Sequence, residues 1–161
     1  MTAPAASAPI ASAGMLIRRP VAEVFAAFVD PAITARFWFT GGSAPLTPGA
    51  EVRWDWAMYG VSTDVKVKAI EPERRILIDW DTATRPTEIE WRFEPRGDAT
   101  WVTVENRGFP ATGEGVAAAL DSTGGFALVM AGAKIWLEHG VEPGFVLDRF
   151  PDSRAPDWKD R

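Results

Sequence analysis

An α+β fold is predicted, an antiparallel sheet backed by a long C-terminal helix, with two short helices after the first strand. Three features of the sequence predict it. Apolar residues recur at helical spacing near the start, alternate with polar ones from Glu51 to Arg107, and return to helical spacing from Phe126 to Gly140. A chain of 161 residues buries about 69% of its unfolded surface, enough for one core and too little for two.

Met15, Leu16 and Ile17 form a short apolar stretch, the first strand. Pro20 then sits where a first helical turn tolerates proline. Val21, Val24, Phe25 and Phe28 follow at i, i+3, i+4 and i+7, one face of a helix. Asp30-Pro31 ends that helix and opens a second containing Ile33, Phe37 and Trp38, which Gly41-Gly42 closes. Val52, Trp54, Trp56 and Met58 start the alternating region, with Tyr59-Gly60 as a two-residue hairpin turn. The strand through Val61, Thr63, Val65, Val67 and Ala69 follows, then Ile76, Ile78 and Trp80, then Ile89, Trp91 and Phe93, then Val102 and Val104. Pro- and Gly-containing turns separate them, which makes an antiparallel meander with one apolar and one charged face. From Phe126, the residues Val129, Met130, Ala133 and Leu137 mark the long helix, stopped by Gly140. Leu128 and Ile135 lie on its back, so the sheet covers one side and the N-terminal segments, the tail or another subunit covers the other.

Pairing the strands so that apolar residues share a face predicts the register. One inward row reads Trp54, Val65, Trp80, Ile89, Asn106, and the next Val52, Val67, Ile78, Trp91, Val104, with Trp56 beside Thr63. Asn106 is the inward polar residue, with Thr63 and Thr87 within reach. The outward row, Arg53, Lys66, Asp79, Glu90 and Glu105, reads as a solvated charge ladder and not as a metal site.

The composition excludes much chemistry. With no cysteine there is no disulfide framework, thiol nucleophile or thiolate metal site, and the single histidine, His139, rules out a multi-histidine metal centre. No serine sits in a nucleophile elbow, and neither TGEG nor GGFALV has the Lys-Ser/Thr pair of a phosphate loop. His139, at a helix end before the glycine stop, has a structural role. The net charge of −5 argues against nucleic acid as a partner. No apolar run approaches the roughly 20 residues that span a bilayer, and the Ala/Pro/Ser-rich start lacks the charged and apolar regions of a signal peptide. No cofactor is expected, and a soluble cytoplasmic protein is.

Beside these exclusions stand eight tryptophans, four of which (Trp54, Trp56, Trp80 and Trp91) the register puts on the concave face with Phe126 and Met130. They either fill the core or wall a cavity that stacks on a flat apolar ligand. Asn106 is either a satisfied core amide or a ligand-orienting group.

The phrases RPVAEVFAAFVDP, RFWF, PERRILIDW, DATWVTVENRGF and GGFALVMAGAKIWLEHG, taken with the element order, resemble the SRPBCC (START/Bet v 1-like, helix-grip) superfamily. The nearest branch is the activator of heat-shock-protein ATPase homologue (AHSA-like) group, close to polyketide-cyclase-like proteins. The resemblance covers about residues 11 to 140, between a flexible lead-in (1–10) and a C-terminal extension (141–161). It implies the helix-grip fold, a curved sheet wrapped around the long helix with a hydrophobic cavity between them. It also implies a lipid-, sterol- or polyketide-like ligand and no catalytic motif to carry over. The expected ligand contacts are Trp54, Trp56, Trp80, Trp91, Asn106, Phe126 and Met130, with Phe37 and Trp38 at the mouth. Two alternatives stand beside this: a cyclase-, aromatase- or hydrolase-like enzyme on a polyketide-type substrate, and a co-chaperone-like partner-binding module. A homodimer is among the arrangements the helix back allows.

Overall fold

The computed structural model describes residues 7–159, so the first six residues of the expected lead-in and the last two of the extension lie outside it. Strand β1 (Ala11–Ile17) leads into helix α1 (Val21–Val29), whose first turn follows the extended Pro20, and into the single-turn α2 (Pro31–Thr34). The Asp30 carboxylate caps α2 by accepting from the Ala32 amide at 3.0 Å, with Pro31 in the first turn. α2 stops short of Phe37 and Trp38. Gly41–Gly42 does not close a helix but forms a two-residue edge strand, β2.

The meander comprises β3 (Glu51–Trp56), β4 (Val61–Glu71), β5 (Arg75–Trp80), β6 (Thr87–Arg96) and β7 (Ala99–Arg107). The sheet order is β1-β7-β6-β5-β4-β3-β2 with every neighbour antiparallel, so the first strand closes onto the last. A register shift between Val67 and Ala69 bends β4, and the sheet curls around the long helix α3 (Gly113–His139). This is the α+β helix-grip arrangement. Ile17, Val24, Trp91, Val102, Val104 and Met130 are fully or almost fully buried in its core.

The alternation assigns inner and outer faces correctly except past the bend in β4, where Ala69, expected inward, pairs with Leu77 on the outer face and Ile70 takes the inner place opposite Ile76; two hairpins are also displaced by two residues. Between β3 and β4 the turn is not the pair Tyr59-Gly60; it is a 3-10 turn, Ala57–Tyr59, plus a left-handed Gly60 with φ of 64°. Four loop residues instead of two move Trp54 from Val65 to Thr63, and Trp56 from Thr63 to Val61. Likewise Trp80 pairs with Thr87 instead of Ile89, and Ile78 with Ile89 instead of Trp91. Parity survives because a slip of two returns each side chain to the same face.

The outer row changes accordingly. Arg53 faces Asp64, and Asp79 faces Glu88. Glu90 points outward yet is 5% exposed, not solvated as a ladder rung. Arg75 donates to it at 2.6 Å and Arg92 at 3.1 Å, while Arg107 approaches to 3.6 Å. The aliphatic stems of arginines cover such a carboxylate while their charges neutralise it.

α3 begins thirteen residues before the expected Phe126, capped by the Thr112 hydroxyl, which accepts from the Gly115 amide at 3.1 Å. The TGEG segment is therefore a helix start. Gly115 is also where the incoming chain crosses closely: a Cβ there would lie 1.8 Å from the Pro110 carbonyl oxygen. Gly115→Ala is expected to displace the connection before α3 and to cost about 2 kcal/mol, read as a melting temperature lower by roughly 5 °C. An unchanged melt would show that the crossing is freely adjustable.

At 27 residues, with a mean hydropathy of 1.4 over 18 of them, α3 is long and apolar enough to cross a membrane by length and composition, which the residue-run reading did not anticipate. In the fold, Phe126, Val129, Met130 and Ala133 are buried, and Lys134 donates to the Leu16 carbonyl of β1 at 2.8 Å. The tail packs on the other side. There a single turn, α4 (Phe145–Asp148), precedes a 3-10 turn, Pro151–Ser153.

Candidate functional site

The curl of the sheet and the N-terminal half of α3 form an open-mouthed cavity of about 1010 Å³. It is bordered by the β5–β6 turn, the connection from β7 to α3 and the tail. Of the expected contacts, Trp38, Trp56, Trp80, Asn106 and Phe126 line it. Trp54, Trp91 and Met130 are buried behind this wall. Phe37 lies elsewhere, joining Trp38 on a second cavity of about 440 Å³ under the tail.

The aromatic wall has a definite geometry. Trp56 and Trp80 stack at 6.2 Å with their planes 27° apart. Trp38 meets Trp80 edge-on at 6.0 Å and Phe126 meets it at 5.8 Å. Behind them Phe39 stacks on Trp54 at 5.1 Å, and Trp91 packs against Phe28, Trp38 and Phe126. Front rings thus rest on a second layer of rings, which holds their orientation.

Asn106 is 2% exposed and satisfied: its amide donates to Thr87 Oγ1 at 2.9 Å and to the Glu88 carbonyl at 3.0 Å, and Ser122 donates to it at 2.8 Å. Thr87 is thus the reachable partner foreseen in the sequence. Thr63 is not, and its buried hydroxyl makes no hydrogen bond to any of the described residues. Ser122 is absent from the sequence reading, because the helix that carries it starts earlier than the apolar periodicity shows.

Charged groups gather at the rim: Asp81, Arg85, Glu114, Asp121 and Arg149. The carboxyls held below their ordinary range lie outside the cavity. For Glu88 the cause is hydrogen bonds from Lys68 and Arg107. For Glu90 burial pushes upward, and the hydrogen bond from Arg75 with the charges of Arg92, Arg75 and Arg107 outweighs it. For Glu138 burial is likewise outweighed, by Lys134 and the Arg18 amide. No group of three or more His, Asp or Glu side chains suited to a metal occurs among the described residues.

The tail supplies Val146, Arg149, Phe150 and Ser153 to the cavity, a contribution outside the expected site. Arg149 lies on Gly124 and Gly125 of α3: a Cβ on Gly125 would be 2.8 Å from its Nη1. Its Nη2 donates to the Asp121 carbonyl at 3.0 Å. Two adjacent glycines inside a helix cost it stability, and that pair was the available sequence signal that something approaches there. Tyr59 clasps the same segment, its hydroxyl contacting the Val146 and Leu147 carbonyls and accepting from the Phe150 amide at 3.3 Å. Tyr59→Phe removes the clasp at about 1 kcal/mol, and limited proteolysis is expected to cut beyond Gly140 faster than in the parent. Equal cleavage rates would mean that Tyr59 does not hold the tail.

Comparison with known proteins agrees with this architecture. The protein SSP2350 from Staphylococcus saprophyticus is 25% identical, with a TM-score of 0.73 over 83% of this chain and 95% of that one. DynU16, from the dynemicin biosynthetic locus, is 26% identical with a TM-score of 0.74; the match covers 93% of this chain but 51% of DynU16, so this chain spans about half its length. The Aha1 dimer from Colwellia psychrerythraea, 17% identical, shares the fold with a TM-score of 0.72 over 82% of this chain and 98% of that one. No curated protein matches. The sequence model of the activator of Hsp90 ATPase homolog 1-like proteins matches residues 18–129, which carry the two short helices, the meander and the first half of α3. The chain belongs to the activator of Hsp90 ATPase homolog 1-like family.

Proposed function

We propose that this protein binds a small hydrophobic molecule, lipid-, sterol- or polyketide-like, in the cavity between the sheet and α3. The observation that carries the proposal is a cavity of about 1010 Å³ walled by Trp38, Trp56, Trp80 and Phe126, at the upper end of the range typical of small-molecule sites. Each ligand CH₂ moved from water into it contributes about 0.8 kcal/mol, and Asn106 with its hydroxyl neighbours orients the polar end. In this reading Trp54, Trp91, Met130 and Phe37 support the wall. The domain is 11–140, and the extension from 141 helps to close the site.

A second reading, an enzyme of the cyclase, aromatase or hydrolase kind, draws on DynU16, which comes from a biosynthetic locus. Among the described residues, the side chains at the cavity that could do acid–base work are Asp81, Glu114, Asp121 and Tyr59. A co-chaperone-like role draws on the family name and on the exposed apolar Val116 and Leu120 of α3. Self-association draws on the dimeric Aha1. A cytoplasmic location is part of the same proposal, drawn from the likeness to crystallised proteins of this fold.

Native mass spectrometry of the purified protein, with extraction of whatever co-purifies, tests the binding proposal. A noncovalent adduct of an apolar molecule is expected. A clean apo mass, with no thermal shift from oleate, cholesterol or a fused-ring aromatic, would sink it.

A further inference from the structure

The tail joins the domain in a way that lets it move as a unit. Gly140 and Gly144 both take the left-handed conformation, with φ of 65° and 68°, and only Val141, Glu142 and Pro143 stand between them. Beyond this double bend every residue from 145 to 159 is half-buried or exposed, and the secondary structure is one helical turn and one 3-10 turn. Short elements with little buried contact belong to the low end of local stability. The segment also lies past residue 129, where the family match ends.

Its attachments fall on two sides of the cavity. Toward α3, Arg149 donates to the Asp121 carbonyl at 3.0 Å and to its carboxylate at 3.2 Å. Toward the β3–β4 loop, the Tyr59 hydroxyl contacts the Val146 and Leu147 carbonyls and accepts from the Phe150 amide. There too the Ala155 amide donates to the Met58 carbonyl at 2.7 Å. The segment thus runs from helix to loop, tied by polar contacts whose net strength in water is modest. Between the ties, Val146 and Trp38 line both the large cavity and the smaller one of about 440 Å³. They are the partition between the two spaces, and lifting the segment withdraws Val146 from it.

We propose that residues 145–159 are a hinged strap. Swinging about Gly140 and Gly144, it uncovers the tail side of the large cavity, opens that cavity to the smaller one, and sets the rate at which the occupant enters and leaves. The strap regulates the binding site proposed above and rests on that reading.

The chain has no cysteine, and a Cβ on Gly60 would lie 3.7 Å from that of Ala155, close to the roughly 3.8 Å that a disulfide spans. Gly60→Cys combined with Ala155→Cys therefore pins the strap when oxidised and frees it when reduced. Neither residue lines a cavity, and both redox forms carry the same strain at the left-handed position 60, so comparing them isolates the bond. Stopped-flow mixing with 1-anilinonaphthalene-8-sulfonate reads both rate constants. Oxidation is expected to slow association and dissociation about tenfold each and to leave Kd within about twofold, because the strap is closed before and after binding. Ala155→Pro removes the amide that bonds Met58, and the preceding Arg154 already has the extended backbone a proline requires. It should speed both rates about fivefold, the loss of one hydrogen bond, and it covers the case of a cysteine pair that fails to fold. Hydrogen exchange read by mass spectrometry needs no ligand: residues 145–159 should exchange together, at least about tenfold faster than residues 129–133. Equal dye kinetics in the two redox forms, or a tail that exchanges no faster than 129–133, overturns the strap and leaves the binding reading standing. If the tail exchanges fast but neither the dye nor oleate binds, there is nothing to gate and both fall.

Discussion

Trp91→Ala lowers the melting temperature by roughly 10 °C, while Trp80→Ala lowers it by less than half as much. Both are large inward tryptophans, and the difference lies in what stands beside them. Trp91 is 1% exposed and enclosed by Phe28, Trp38 and Phe126, so its removal leaves a sealed void. Burial of this kind is worth about 3–5 kcal/mol. Its indole Nε1 is buried without a hydrogen-bond partner among the described residues, and relieving that sets the loss near the lower figure. At 2–4 °C for each kcal/mol in a chain of this size, the shift is roughly 10 °C. Trp80 is half-buried and lines the cavity; deleting it enlarges a space that already exists and reaches solvent. Thermal melts followed by circular dichroism compare the two directly. Equal losses would mean that Trp80 is core in the same sense as Trp91 and that the cavity wall is not distinct from the packing behind it.

Glu90→Gln costs about 2 kcal/mol at neutral pH and flattens the acid dependence of stability. The carboxylate collects Arg75, Arg92 and Arg107, and the side chain is 6% exposed, against 26% and 31% for Arg75 and Arg107 and 64% for Arg92. Removing a fully buried partner costs more, but water reaches these guanidiniums. Arg75 also keeps Glu71, and Arg107 keeps Glu88 and Glu105, so the figure is reduced. The sign of the pH effect follows from the direction of the shift. The folded Glu90 and Glu88 hold their protons less tightly than an unfolded glutamate near 4.3. Their stabilisation is therefore full above that value and fades as pH falls through it toward the lower folded value. The gap in melting temperature between the parent and Glu90→Gln should be roughly 5 °C at pH 7 and should narrow at pH 3, where protonation of the glutamate in the unfolded parent offsets the folded carboxylate's advantage. A gap that stays constant with pH would remove the arginine cluster as its cause.

Much of the fold is visible in local patterns. Val21, Val24, Phe25 and Phe28 predict α1, and alternation from Val52 to Val104 predicts the strands and their faces. The end of α3 is also readable, because Gly140 adopts the left-handed conformation a glycine stop supplies. Its beginning is not. Gly115, Ala118, Ser122, Gly124 and Gly125 break the apolar period, and each is small because something comes near: Pro110 at Gly115, Arg149 at the glycine pair, the cavity beside Ala118 and Ser122. The tail's part in the site is invisible in sequence for a related reason, since Arg149 and Tyr59 are 90 residues apart and are brought to one place only by the curled sheet.

What the sequence by itself determined is parity and supply. Successive residues of a strand point to opposite faces whatever the strand pairs with, so Trp54, Trp56, Trp80 and Trp91 had to share the inner face with Asn106, and Glu88, Glu90 and Glu105 the outer one. A chain without cysteine and with one histidine carried its exclusions into any fold. The tertiary structure alone decided register and depth. Register depends on how many residues a turn consumes, and the loop 57–60 put Thr63 beside Trp54, not Trp56. Depth depends on what the remaining elements place on top: three arginines over Glu90, a second layer of rings over Trp54 and Trp91, and open space before Trp56 and Trp80. Alternation is a property of neighbouring residues, whereas burial is settled by the sum of distant contacts, and that sum divided one set of tryptophans into core and cavity wall.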